Sequence, residues 1–261
     1  MEKNENIEMI TGDPKKAINK LSLPIIASMF LIFANSIIDS IWVAGLGAEP
    51  LAALGYTTPL FMIIVGFGNG LGAGGNSVIS RFIGAEDKSS ANNAAIHNLI
   101  LSAIASIVIS ILFVITMEPM LELMGASSVI NYAMDYGFII FSCTFALLMP
   151  PIVGGAFRAE GDIKRATIPI AVAAIINMIL DPILIYTFGM GIKGAAIATV
   201  LGPLISLCLM LYWIFFKKDT YLSYNFKDFH NDLKMYKDIL VVGIPASLEQ
   251  LVLSVLTIFV N

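Results

Sequence analysis

The chain has 261 residues, 57% of them hydrophobic and only 13% charged, with a formal net charge of −4 and a mean hydropathy of +0.85. Soluble domains carry about 25% charged residues, so the composition excludes an ordinary soluble enzyme, predicts an all-α polytopic membrane protein embedded in a lipid bilayer, and leaves no basis for a nucleic-acid partner. The sum of the charges says little about partners, because in a membrane protein their placement matters more.

The first 20 residues are polar and mix acids with lysines without a small-residue cleavage site, which reads as a cytoplasmic amino-terminal segment (1–20) rather than a cleaved leader. Seven apolar runs follow: Leu21–Ala44, Leu51–Ile83, Ala94–Met117, Val129–Phe157, Thr167–Phe188, Gly194–Phe216 and Ile239–Val260. Each is near or above the roughly 20 residues that span a bilayer as helix, so seven spans are expected. Residues 21–216 form a six-helix lobe, 217–238 a linker with room for a surface helix, and 239–261 a seventh span. Cys143 and Cys208 lie inside apolar runs and read as small buried hydrophobes rather than a disulfide or metal pair.

Fourteen of the fifteen lysines and arginines fall before span one, after spans two and four, or after span six, and only Lys193 falls on the other side. This bias predicts a multi-pass protein of the cell membrane with its amino terminus in the cytoplasm. Span seven opens on Val242-Gly243-Ile244-Pro245 after a charge cluster, much as span one opens on Leu21-Ser22-Leu23-Pro24 after Lys20. Six helices and a linker return the chain to the same side in the same orientation, which is the arithmetic of a parallel two-lobe repeat. A second, carboxy-terminal lobe is therefore expected and missing from these residues.

Ionisable groups inside a span are costly and need a reason. Asp39 and Asp181 stand well inside spans one and five, and Glu249 near the middle of span seven. Arg81, His97 and Asp135 lie near helix ends, where snorkelling or solvent suffices. Counting 1.5 Å per residue from the outer ends puts Asp39 and Thr199 about 8 Å deep, and Asp181 and Tyr136 about 10 Å. Four polar groups from four helices thus share one level. Asn177 lies one turn below Asp181, and Asn35 one turn below Asp39, on the same faces. Carboxylate, amide, hydroxyl and phenol at one depth suit a proton or a hard cation such as Na⁺, and the alternative is a polar network that only glues helices together. Pro182 lacks the N–H that would bond Met178 and so frees that carbonyl beside Asp181. In span two, glycines at 66, 70 and 74 recur every four residues, the spacing of close helix contact, and no Gly-Lys-Ser/Thr follows them. ATP as an energy source is therefore unsupported, no cofactor is expected, and an ion gradient is the simpler driving force.

Asn177-Met178-Ile179-Leu180-Asp181-Pro182 and Gly189-Met190-Gly191-Ile192-Lys193-Gly194-Ala195-Ala196-Ile197-Ala198-Thr199 closely resemble the fifth and sixth helices of the multidrug and toxin extrusion (MATE) family of the bacterial and archaeal type. Asp39 with Trp42-Val43-Ala44-Gly45-Leu46-Gly47 resembles the end of that family's first helix, with the usual glycine shifted by one. Ser80-Arg81-Phe82-Ile83-Gly84-Ala85 and Arg158-Ala159-Glu160-Gly161-Asp162 resemble its two cytoplasmic loop motifs. The resemblance runs from about Leu21 to Pro245. It implies a twelve-helix, two-lobe antiporter that extrudes drug-like, often cationic and amphipathic compounds in exchange for H⁺ or Na⁺, of which this chain would supply the first lobe and helix seven. By resemblance the ion site maps onto Asp39, Asn177, Asp181 and Thr199, with Tyr136 nearby. The bend of helix one maps onto Pro24, and Glu249 matches an acid of helix seven used in some members.

Two alternatives compete. A lipid-linked oligosaccharide flippase of the same superfamily would line its cavity with basic residues, and the spans hold almost none. A seven-helix photoreceptor needs a lysine in span seven, and residues 239–261 contain none. No paired His and Glu motif and no Ser/His pair lies within the spans, so an intramembrane enzyme is not expected.

Overall fold

The computed structural model describes residues 14–226 and 229–260, without the side chains of 14–21, 23–25, 250–251 and 253–260. Most of the expected amino-terminal segment, together with Lys227 and Asn261, lies outside the described residues. Among those described, the chain forms α1 (Pro14–Ala44), α2 (Ala48–Gly84), α3 (Lys88–Leu123), α4 (Ile130–Ser142), α5 (Thr144–Ala159), α6 (Ile163–Pro182), α7 (Ile192–Tyr212) and α8 (Leu233–Val260), and no strand. Single π turns, Ile183–Thr187 and Trp213–Lys217, prolong α6 and α7. Five of these units are long and apolar enough to cross a membrane, or six when α4 and α5 count as one bent span. The expected seventh run lies on α8.

Three boundaries differ from the sequence reading. Helix α1 already includes residues 14–20, ahead of the apolar run that opens at residue 21, and the lysines there are good helix formers. The fourth span is broken at Cys143 by a 47° bend. At the break the carbonyl of Phe141 accepts hydroxyl bonds, from Thr144 at 2.6 Å and from Ser110 of α3 at 2.7 Å. Hydroxyls that re-satisfy a freed carbonyl are what makes such a break tolerable in lipid. The linker, finally, forms no surface helix among its described residues, and its last residues begin α8 instead.

Apolar side chains point outward as well as inward. On α3, Ile104, Ile107, Val108, Ile111, Leu112 and Ile115 form one exposed stripe at helical spacing. Such a stripe is expensive in water and suits lipid. Cys208 is also exposed and Cys143 only half-buried, so neither is the buried hydrophobe expected, and both are free thiols.

Helix α2 runs through the middle of the lobe and its glycines divide its faces among its neighbours. A Cβ at Gly72 would stand 2.6 Å from the Pro151 carbonyl, and Gly72 itself lies against Gly155, so α2 and α5 meet backbone to backbone. Gly70 and Gly74 meet α8 at Gly243, Ser247 and Ile239, and Gly75 meets Asn98 of α3. In lipid, helices associate through such close van der Waals contact rather than through a hydrophobic force.

The linker closes one end of the bundle. Glu160 accepts the amides of Tyr221 at 2.9 Å and Leu222 at 3.2 Å, and Asn92 accepts that of Ser223 at 2.8 Å. Asn93 donates to the His230 carbonyl at 3.0 Å. His97 is buried rather than snorkelling: its Nε2 accepts the Asp232 amide at 2.9 Å, so Nδ1 carries the proton toward the Asn93 carbonyl at 2.8 Å. The rings of Phe229 and Tyr236 flank it at 4.8 and 4.6 Å. Arg81 pairs with Asp238 at 2.8 Å and ties the end of α2 to the start of α8.

Two outcomes are expected. Ala at Gly72 or Gly155 pushes two backbones apart and should lower thermal stability by about 1–3 kcal/mol, whereas Ala at Gly55, where a Cβ meets open space, should be neutral or raise stability by less than about 1 kcal/mol. Thermal unfolding in detergent separates the two. For the linker, burial pushes the Glu160 carboxyl from 4.5 up to about 7 even though the two amides pull it down. The docked state therefore holds this proton more tightly than the free chain, a gain complete below 4.5 and lost as the pH rises through about 7. Amide exchange at Tyr221 and Leu222, corrected for intrinsic rates, should rise from about pH 5 to about pH 8, and Glu160→Gln should flatten that dependence.

Candidate functional site

The four helices that carry the expected polar groups form a chain of contacts: α1 packs on α6, α6 on α7, and α7 on α4. That packing turns the shared depth of Asp39, Asp181, Thr199 and Tyr136 into proximity. Asp39 and Asp181 stand on the packed pair α1 and α6. Tyr136 of α4 and Thr199 of α7 stand on another packed pair. Thr199 donates back to the Ala195 carbonyl at 2.9 Å, the usual bond of a threonine inside a helix.

Asp181 is fully buried, and Asn177 and Tyr136 nearly so. Asn177 Nδ2 donates to Asp181 Oδ1 at 3.3 Å, the one-turn relation predicted from the sequence. The other oxygens have no donor: Asp181 Oδ2, Asp39 Oδ1 and Asn35 Oδ1 are all buried without a hydrogen-bond partner. Buried polar atoms are almost always paired, because an orphan costs about 1–3 kcal/mol, and more when charged. Three acceptors without donors on two packed helices favour a positive charge or a proton beside them. Among the described residues no group of three His, Cys, Asp or Glu is placed to hold a metal, so the donor set is two carboxylates with amide, hydroxyl and phenol, which suits a proton or a hard monovalent cation better than a transition metal.

The end of α1 is fixed by an aromatic clamp that the sequence reading missed. Tyr186, in the π turn after α6, donates its hydroxyl to the Trp42 carbonyl at 2.6 Å. The two rings meet edge to face at 6.0 Å. A Cβ at Gly45 would run into that hydroxyl, which explains why the glycine stands at 45. The available signal was an aromatic five residues beyond Asp181 and another three beyond Asp39, both on the outer ends of packed helices.

Other expected residues lie apart. Pro24 is inside α1, fifteen residues before Asp39 and so about 22 Å along the helix from it; its side chain is outside the description. Pro182 directly precedes the π turn of α6, so the register change sits next to Asp181. Glu249 is exposed on α8, a helix that packs along α2 and not on α1 or α6 among the larger contacts. Lys193, the lone basic residue of its end, pairs with Asp135 at 3.1 Å, both half-exposed.

Residues 24–183 match the MatE family. A multidrug export protein, MepA, of Staphylococcus haemolyticus (strain JCSC1435) is 28% identical over 249 residues, which are 94% of this chain and 55% of that protein. A FAD transporter of Shewanella oneidensis is 31% identical over 208 residues, 77% of this chain and 46% of that protein. A crystal structure of a MATE protein in the straight conformation superposes with a TM-score of 0.90 at 40% identity, over 96% of this chain and 56% of that one. The chain spans about half the length of the relatives it matches. With the all-α lobe, the carboxylate pair and this match over most of the lobe, the chain belongs to the MatE family of multidrug and toxin extrusion transporters, and corresponds to the amino-terminal half of its members.

Proposed function

We propose that the chain supplies the ion-coupling lobe of a secondary active antiporter, which extrudes organic, often cationic and amphipathic compounds from the cell in exchange for H⁺ or Na⁺ by alternating access. The observation that carries this reading is that Asp39 and Asp181, on the packed pair α1 and α6, each keep a buried oxygen that no donor reaches. Two carboxylates in a low-dielectric cavity repel, and a proton or cation between them removes that cost. Asn177, Thr199 and Tyr136 supply oxygens to an ion or hydrogen bonds to the protonated form. That the relatives include a multidrug export protein and a FAD transporter supports an organic cargo.

The coupling step follows from how α1 is held. Its main packing partner is α6, so the two carboxylates sit on the contact that fixes α1 to the lobe. Neutralising the pair lets α1 approach α6, while an empty, charged pair drives the two apart. Pro24 and Pro182 are points where the backbone gives, which turns a local change of charge into a change in the cavity wall. A second lobe, beyond α8, would supply the opposite wall, and Glu249 would act on that side. The linker end, where the basic residues gather, would face the cytoplasm. The role is one of binding and movement, with no covalent chemistry.

In the full-length protein, reconstituted in vesicles with Na⁺ and pH gradients imposed separately, Asp39→Asn and Asp181→Asn should each reduce gradient-driven efflux to the background leak while helix content is kept. Variants that retain ion-dependent efflux and lose only thermal stability would make the pair helix glue. Single cysteines at positions 89 and 164 should resist impermeant thiol reagents in intact cells and one at 49 should react; labelling at 89 without permeabilisation would reverse the orientation.

A further inference from the structure

At the linker end a groove of about 530 Å³ opens between the start of α3, the π turn after α7 and the first residues of the linker. Lys88 and Lys218 both line it, with Ser223 beside them and Ile214, Phe215 and Leu222 as its apolar part. Neither lysine has a carboxylate within ion-pair distance among the described residues. Asp219 is engaged with Arg165 at 2.7 Å and Lys217 at 3.5 Å, Asp87 with the Ser90 amide that it caps at 3.0 Å, and Glu160 with the Tyr221 and Leu222 amides at 2.9 and 3.2 Å. The Lys88 ammonium stands over the Tyr221 ring, 4.9 Å from its centroid. Lys218 takes a left-handed backbone conformation, φ 50°, a geometry that non-glycine residues adopt at a cost and that recurs at ligand-binding positions.

The height of the groove identifies its ligand. Tyr212 and Phe216 stack at 5.9 Å on the exposed side of the same segment, and the apolar run of α7 ends at Phe216, one residue before Lys217. Aromatic rings at the end of an apolar run mark the level of the headgroups, so the two ammonium groups stand where lipid phosphates lie while the apolar part of the groove faces the acyl boundary. We propose that this groove binds the phosphate of an anionic phospholipid headgroup, held by Lys88 and Lys218. The site lies at the opposite end of the lobe from Asp39 and Asp181 and does not depend on the transport reading.

Native mass spectrometry of the purified chain, titrated with equal amounts of phosphatidylglycerol and phosphatidylcholine, tests this. The first bound lipid should favour phosphatidylglycerol, and the preference should fall about fivefold for each of Lys88→Gln and Lys218→Gln, with no fall for Lys234→Gln, an exposed lysine of the same end outside the groove. Unchanged circular dichroism and lipid-free melting of the variants show that the fold is intact; a double variant that unfolds is replaced by the two singles. Inorganic phosphate alone in place of the lipid gives the second arm. Retention of phosphate without any preference between the two lipids would make this a free-phosphate site and overturn the proposal. So would equal binding of both lipids, or a preference that survives Lys88→Gln/Lys218→Gln.

Discussion

Inside a bilayer no water completes an unmade hydrogen bond, and this constraint organises the whole lobe. Every backbone donor and acceptor must find its partner within the protein, so the chain is helical almost throughout and every interruption has a repair. Where α4 gives way to α5, the hydroxyls of Thr144 and Ser110 converge on the Phe141 carbonyl. Where Pro182 ends the α-helical register of α6, the ladder continues as a π turn and closes on Phe188, which donates to Ile183 at 2.9 Å. Irregularity thus survives only where a neighbour or a wider turn restores the lost bond.

Satisfied backbones leave little to hold helices to one another, because lipid is as apolar as the side chains that face it. Close approach supplies the difference. Glycines on three faces of α2 bring α5 and α8 within backbone contact and seat the Asn98 side chain of α3, and dispersion over those long interfaces adds up although each atom pair gains only about 0.1–0.2 kcal/mol. Helix α1 has no such seam. It carries an exposed row of Met29, Phe30, Phe33 and Ile37 and relies on α6, the Trp42–Tyr186 clamp and the polar pair beneath it. The helix best placed to move is therefore the one with the least glycine-mediated packing.

Among the buried side-chain atoms without a partner, Asn35 Oδ1, Asp39 Oδ1 and Asp181 Oδ2 fall together on the packed pair α1 and α6, whereas Asn98 Oδ1 and Ser206 Oγ lie elsewhere. A lobe that repairs its backbone with hydroxyls at Cys143 leaves three side-chain acceptors unpaired two helices away. The contrast is physical: a proton or small cation can satisfy acceptors that a permanent donor would lock. The opposite end shows the other solution, with Glu160, Asn92, Asn93 and His97 all engaged in binding the linker.

Much of this was legible in the sequence, for reasons of one-dimensional physics. Apolar run length located five of the spans and the bent sixth, the bias of lysines and arginines suggested which ends lie together, and turn counting placed Asp39, Asp181, Thr199 and Tyr136 at one depth, because rise per residue is constant in a helix. The four-residue relation of Asn177 to Asp181 was equally local. What counting could not supply was rotation and neighbourhood. Depth does not say which way a helix faces, so the juxtaposition of the two helices that carry Asp39 and Asp181, the seat of Tyr186 on Trp42, and the position of Glu249 on a helix away from both were decided only when α1 packed on α6 and α8 on α2. The burial of His97 under the linker and the exposure of Cys208 have the same origin. Apolar composition along a helix fixes that it enters the membrane, whereas which of its faces meets protein and which meets lipid is a property of the neighbours that it packs against.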